Sequence, residues 1–184
     1  DSMRTASSKK YSREECGLPE NAFIFCCFNN HYKFNPQVLD GWTSILRKVE
    51  SSVMWIAENN DEFKVNISTE FKKRGVNLEK IIFAKRVESM GDHLSRLSLA
   101  DIFLDTYPYN AHSTALDSLK AGVPVLTLIG QSFASRVSAS LLNAIGLSEL
   151  ITNDQGQYEN LAIELATNPD KLSELKKKLS RNRL

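Results

Sequence analysis

The strongest constraint on the fold of this 184-residue chain is a regular alternation of short apolar runs with amphipathic helical stretches. Ala22 to Phe28 is continuously apolar, the pattern of a strand buried on both faces. Asn35 then precedes Pro36, an N-cap followed by proline at the first helical position, and Val38, Leu39, Trp42, Ile45, Leu46 and Val49 recur at helical spacing. Val53–Ala57, Ile81–Ala84, Asp101–Leu104 and Pro124–Leu128 read as further strands, and Leu150–Ile151 as a short last one. Helices are predicted over Asp61–Arg74, Ser89–Leu99, Ser113–Lys120, from beyond Gly130 to Ala144, Gln155–Ala166 and Pro169–Ser180. The second of these six stretches to be read, Ser89–Leu99, follows a helix with a thin stripe (Phe63, Ile67, Phe71) that Gly75 stops. Buried strands alternating with helices predict an α/β fold, a doubly wound, mostly parallel, Rossmann-like sheet. Residues 1–20 are expected to form a tail or linker, and residues 21–184 one lobe.

Charge excludes one class of partner. The 23 basic and 22 acidic side chains nearly cancel, and no basic block gives the footprint of a duplex nucleic-acid binder. Lys176-Lys177-Lys178 reads as a solvated helix face. Cys16, Cys26 and Cys27 form no CxxC pair; the adjacent two lie in the first apolar run and read as buried small hydrophobes, so no disulfide and a cytoplasmic setting are expected. No apolar stretch approaches the ~20 residues of a membrane helix, and the polar start has no signal-peptide core.

In such sheets ligands bind outside the carboxyl ends of the strands, so the loops after Phe28, Ala84, Leu104 and Leu128 matter most. Asn110 to Asp117 (NAHSTALD) opens the helix after the fourth strand. A helix start leaves backbone N–H groups unpaired and carries partial positive charge, which suits a diphosphate. Ser113 and Thr114 would let an anion approach and add hydroxyl donors; Asp117, about one turn on, would accept from a ribose. The plainer alternative is that Ser113 or Thr114 caps the helix and Asp117 favours its positive end. Lys33, in the loop after the first strand, would neutralise a leaving diphosphate or be an ordinary surface lysine. His31 has the weaker case. His93 and Arg96, three apart on one helix, share a face that would contact a base or phosphate, or be solvated. The three histidines (His31, His93, His112) lack zinc spacing, and no GxSxG, P-loop or GxGxxG occurs.

Read in order, Phe28–Lys33 (FNNHYK), His93–Arg96 (HLSR), Leu99–Thr106 (LADIFLDT), Pro108–Thr114 (PYNAHST), Ala121–Thr127 (AGVPVLT) and Ala134–Leu142 (ASRVSASLL) resemble the C-terminal catalytic lobe of the O-GlcNAc transferase and Spindly family. The resemblance runs from about Tyr11 to the C-terminus and implies the nucleotide-binding lobe of a two-lobed GT-B enzyme. It implies inverting, metal-independent transfer of N-acetylglucosamine from UDP to serine or threonine of proteins, with no cofactor. On that resemblance Lys33 would be the catalytic group beside the diphosphate, with Asn30 near it. His93 would contact the uracil with Arg96 supporting the site; His112, Ser113 and Thr114 would hold the phosphates and Asp117 the ribose.

The departures are specific. Met90 stands where a basic residue often precedes the histidine, and Ser113 replaces a common threonine. The Phe28-Asn29-Asn30 run also occurs in Spindly relatives, some of which use GDP-fucose, and bacterial relatives of this type could transfer glucose. The family's N-terminal lobe, its tetratricopeptide repeats and its final helix have no counterpart in the sequence, so a fragment is expected. Two other classes stay open at this point: a nucleotide- or protein-binding module without turnover, and an unrelated doubly wound sugar-nucleotide enzyme such as an epimerase.

Overall fold

A computed structural model describes residues 5–182. The first four residues of the expected tail and the last two residues of the chain lie outside the described residues. Six strands form one sheet: β1 (Phe23–Cys27), β2 (Ser52–Ala57), β3 (Ile81–Ala84), β4 (Ile102–Leu104), β5 (Val125–Leu128) and β6 (Ile151–Thr152). Their order is β3-β2-β1-β4-β5-β6 and every pairing is parallel. The strand order therefore reverses between β1 and β4, and the crevice of a doubly wound sheet opens there, outside the carboxyl ends.

Burial explains why these residues are strands. Ile24, Phe25, Cys26 and Cys27 are fully buried, and Cys26 pairs in register with Trp55 on one side and Phe103 on the other. Cys16, Cys26 and Cys27 are free thiols, and burial pushes those of Cys26 and Cys27 far up, which leaves them inert.

The helices are α1 (Pro36–Lys48), α2 (Asp61–Lys73), α3 (Met90–Leu97), α4 (Ser113–Lys120), α5 (Val137–Ala144), α6 (Gln155–Thr167) and α7 (Pro169–Asn182). The Asn35 side chain accepts from the Val38 amide at 3.0 Å, as its place before Pro36 predicts. From there Val38, Leu39, Trp42, Ile45 and Leu46 face the core, and the Trp42 indole donates to the Tyr158 hydroxyl of α6. The thin stripe of α2 buries only Ile67 and Phe71, and Gly75 ends the run with φ of 77°. One helix starts later than the sequence pattern predicts. Beyond Gly130 the chain makes a loop and a short 3-10 turn (Phe133–Ser135) before α5 begins at Val137. The Gly130 amide donates to the Ser135 carbonyl at 2.9 Å, and a Cβ at Gly130 would run into Ser135 and the Tyr107 ring.

The segment ahead of β1 packs on the lobe. Ser7 donates to the Asp92 carboxylate at 2.7 Å and its amide to the Gly91 carbonyl at 3.0 Å, while Leu18 is buried. The lysine run near the C-terminus is largely paired: Lys176 meets Asp101 at 3.1 Å and Lys178 meets Glu149 at 2.6 Å. Among the described residues no helix is long and apolar enough to cross a membrane.

Candidate functional site

The start of α4 lies beside the crevice and, like that of α5 but unlike those of α1, α2, α3 and α6, has no side-chain cap. Asn35, Asn60, Ser89 and Asp154 each cap their helix with a side-chain oxygen. At α4 the N-cap position is His112, whose side chain makes no capping bond, and the first turn holds no acidic residue. Neither Ser113 nor Thr114 acts as the cap. Ser113 is exposed, and the Thr114 hydroxyl donates to the Asn29 side-chain oxygen. The result is an open helix end with its amides and partial positive charge available to an anion. His112 stands at its edge against Tyr109 (ring centroids 5.3 Å apart) and Phe133 (6.3 Å), with Nε2 buried and unpartnered. Asp117 is buried, one turn into the helix.

Lys33 reaches the same place from the other side of the crevice. It ends a short 3-10 turn (His31–Lys33) after β1, and its amide donates to the Asn30 carbonyl at 3.0 Å. Its ammonium donates to the Asn110 carbonyl at 2.8 Å and sits 4.0 Å from the centre of the Tyr109 ring. Partial burial pushes its pKa down, and the Asp105 carboxylate opposes that shift. Lys33 is thus no ordinary surface lysine. Asn30 is exposed at the rim, and His31 is exposed further out, against the Asn59 side chain.

His93 and Arg96 share a helix and both pack on Phe28, at different depths. The His93 ring packs edge-on against Phe28, with centroids 5.1 Å apart, and is half-buried. Arg96 lies beneath, 7% exposed, with its guanidinium 5.6 Å from the Phe28 ring and 5.9 Å from the Trp55 ring. It donates to the Lys85 carbonyl, its Nε has no partner, and burial pushes its pKa down. Arg96 therefore fixes Phe28 and the end of β3 and so holds the floor under His93.

Sequence reasoning assigned no role to the residue that organises this edge. Asp105, 3% exposed, follows β4 directly; one carboxylate oxygen accepts from the amides of Thr106 (2.8 Å) and Ala111 (2.6 Å), the other from the Thr127 hydroxyl (2.7 Å). Asn29 lies between Asp105 and α4, donating to the Thr106 hydroxyl at 2.8 Å while accepting from Thr114. Asn110 donates to the Thr106 carbonyl at 2.8 Å, which folds the Asp105–Ala111 loop, with its cis Tyr107–Pro108 bond, back on itself. The available signal was the carboxylate placed immediately after a fully apolar strand, where an unpaired charge would cost several kcal/mol.

The chain and its fold have relatives. The profile described as Glycosyl transferase family 41 matches residues 5–184. A probable UDP-N-acetylglucosamine–peptide N-acetylglucosaminyltransferase, SEC, of Arabidopsis thaliana is 39% identical over 96% of this chain and 18% of its own length. The UDP-N-acetylglucosamine–peptide N-acetylglucosaminyltransferase of Caenorhabditis elegans is 36% identical over 91% of this chain and 14% of its own length. The chain thus spans less than one fifth of these two relatives. Among solved structures, an O-GlcNAc transferase mutant of Thermobaculum terrenum superposes with a TM-score of 0.83 at 29% identity, over 90% of this chain and 34% of that one. The parallel six-stranded sheet with its flanking helices has the fold of a GT-B glycosyltransferase lobe, and an unrelated epimerase is set aside. By profile, by sequence and by fold, this chain belongs to glycosyl transferase family 41.

Proposed function

We propose that this lobe is the donor-binding half of an inverting, metal-independent glycosyltransferase that moves N-acetylglucosamine from UDP to serine or threonine hydroxyls of proteins. One observation carries the reading: the ammonium of Lys33, from the loop after β1, and the uncapped, acid-free start of α4 converge at the crevice. The relatives named above are peptide N-acetylglucosaminyltransferases using UDP-N-acetylglucosamine, which supports the choice of donor and acceptor.

In this reading the amides of the first turn of α4 and the Ser113 hydroxyl bind the diphosphate. The Thr114 hydroxyl, donating to Asn29, contributes by holding that turn in place. Asp117 takes the ribose hydroxyls, and His93, set on Phe28 and Arg96, faces the uracil. Asn30 stands at the rim beside Lys33. An acceptor hydroxyl attacks the anomeric carbon on the face opposite the diphosphate. The bond from that carbon to the phosphate oxygen breaks, and its electron pair leaves with UDP. The hydroxyl proton passes to a base across the cleft. Lys33 stabilises the charge that grows on the leaving diphosphate, the role a metal ion plays in other transferases.

Calorimetric titration of this chain with UDP, UDP-N-acetylglucosamine, UDP-glucose and GDP-fucose tests the reading. UDP and UDP-N-acetylglucosamine should bind, and GDP-fucose should bind far more weakly. Preference for GDP-fucose would replace the donor, and binding of none of the four would leave the lobe a module without a nucleotide role.

A further inference from the structure

We infer that Asp105 is a positioning residue of the diphosphate seat, tying the Lys33 loop to the first turn of α4 through Asn29. The inference rests on the nucleotide reading above and adds a buried residue that touches neither donor nor acceptor.

The geometry is specific. Four donors from three segments meet at one carboxylate: the Thr106 and Ala111 amides of its own loop, the Thr127 hydroxyl on β5, and Asn29 after β1, whose amide nitrogen lies 3.4 Å from Oδ1. All are neutral donors, so the negative charge is hydrogen-bonded but not neutralised by an adjacent cation. Its field acts on the crevice, where the Lys33 ammonium sits on the Asn110 carbonyl, one residue ahead of the Ala111 amide that Asp105 holds. Asn29 carries the mechanical link, because its side chain bonds both Thr106 and Thr114. The Ala111 amide, held at 2.6 Å, fixes the chain directly ahead of His112.

The titratable neighbours are few. Asp105 and the Cys27 thiol face Lys33, with the Tyr109 ring against its ammonium; Lys33, Cys27 and the Tyr158 phenol face Asp105. Burial pushes the Cys27 thiol and the Tyr158 phenol far up, so neither ionises in the working range. Asp105 itself is pushed up by burial, and hydrogen bonds from neighbouring hydroxyls and amides hold it back. The sign then follows. An ammonium binds a diphosphate below its pKa and loses it as pH rises through that value; removing a nearby carboxylate lowers the pKa and brings the loss to lower pH.

Asp105→Asn separates charge from packing. Its side-chain oxygen can still accept from the two amides, and its NH2 can donate to a rotated Thr127 hydroxyl. UDP affinity of this chain, measured by calorimetry from about pH 7 to about pH 10, should fall at lower pH in Asp105→Asn than in the unaltered chain, with the two within a few-fold at the neutral end. Asn29→Ala should bind UDP about tenfold more weakly at every pH, with its alkaline fall where the unaltered chain has it. Circular dichroism and melting temperature establish folding, and Asn29→Ala carries the test alone should Asp105→Asn not fold. Coincident pH profiles, or Asn29→Ala binding at full strength, overturn the inference while the nucleotide reading stands. Absence of UDP binding by the unaltered chain overturns both.

Discussion

Two helices leave the same edge of the sheet and begin in opposite ways. At α2, Asn60 caps by accepting from the Phe63 amide at 2.8 Å, and Asp61 and Glu62 fill the first turn. At α4 no side chain caps, no acid follows, and the flanking groups are His112, Ser113 and a threonine turned toward Asn29. The first arrangement satisfies the helix end with the protein's own oxygens and negative charge, which also repels an anion. The second forgoes that stabilisation and leaves donors facing the crevice. A helix end left open beside a half-buried lysine is the arrangement expected where stability has been given up for ligand.

The largest effect expected from breaking this contrast lies on the lysine. Lys33→Ala in the intact enzyme should reduce turnover by ~10²–10³, about 2.7–4 kcal/mol, the usual loss on removing one transition-state donor. The Michaelis constant should move much less, because charge on the diphosphate grows as the glycosidic bond breaks. Single-turnover kinetics with UDP-N-acetylglucosamine decide it; unchanged turnover would leave the open helix end to act alone. Making α4 resemble α2 comes next. Ser113→Asp, at an exposed first-turn position, should hold or raise stability by ~0.3–1 kcal/mol yet weaken UDP binding more than tenfold. UDP binding at full strength in that variant would mean the diphosphate sits elsewhere.

Asp117→Ala sharpens the same comparison at smaller scale. A ribose contact is made equally before and during reaction, so its loss should raise the Michaelis constant about tenfold with turnover nearly unchanged. A collapse in turnover would instead assign Asp117 to the chemistry.

The fold was legible because each strand is a local apolar run and each long helix carries its own stripe; β1 and α1 fall within a residue or so of their predicted ends. The late start of α5 was not legible, since it depends on Ser132, Ser135 and the approach of Tyr107 to Gly130, contacts between segments. The site divides in the same manner. Lys33 and the His112–Thr114 turn stand in sequence where a strand-to-helix loop must put them. That Arg96 is buried under His93, that Thr114 serves Asn29, and that Asp105 joins two loops to β5 depend on which strands become neighbours. The β1–β4 adjacency at the switch point creates those contacts, and no single segment encodes it.

The smallest effect is the control on the α2 side. Asn60→Ala removes a capping oxygen whose geometry is good, and such a loss costs ~1 kcal/mol of stability. Asp61 and Glu62 remain to favour the helix end, so the cost should not exceed the usual range. The Phe63 amide freed by the change is exposed to water, which limits the penalty further. Urea unfolding followed by circular dichroism should show a lower midpoint with an unchanged slope, because the same surface is exposed on unfolding. UDP affinity should be the same as in the unaltered chain, since α2 follows β2, on the far side of β1 from the switch point. The two helix starts would then differ as argued: one a stability element whose loss is read in unfolding alone, the other a ligand element whose loss is read in binding. A clear fall in UDP affinity on Asn60→Ala would join α2 to the site and end the contrast.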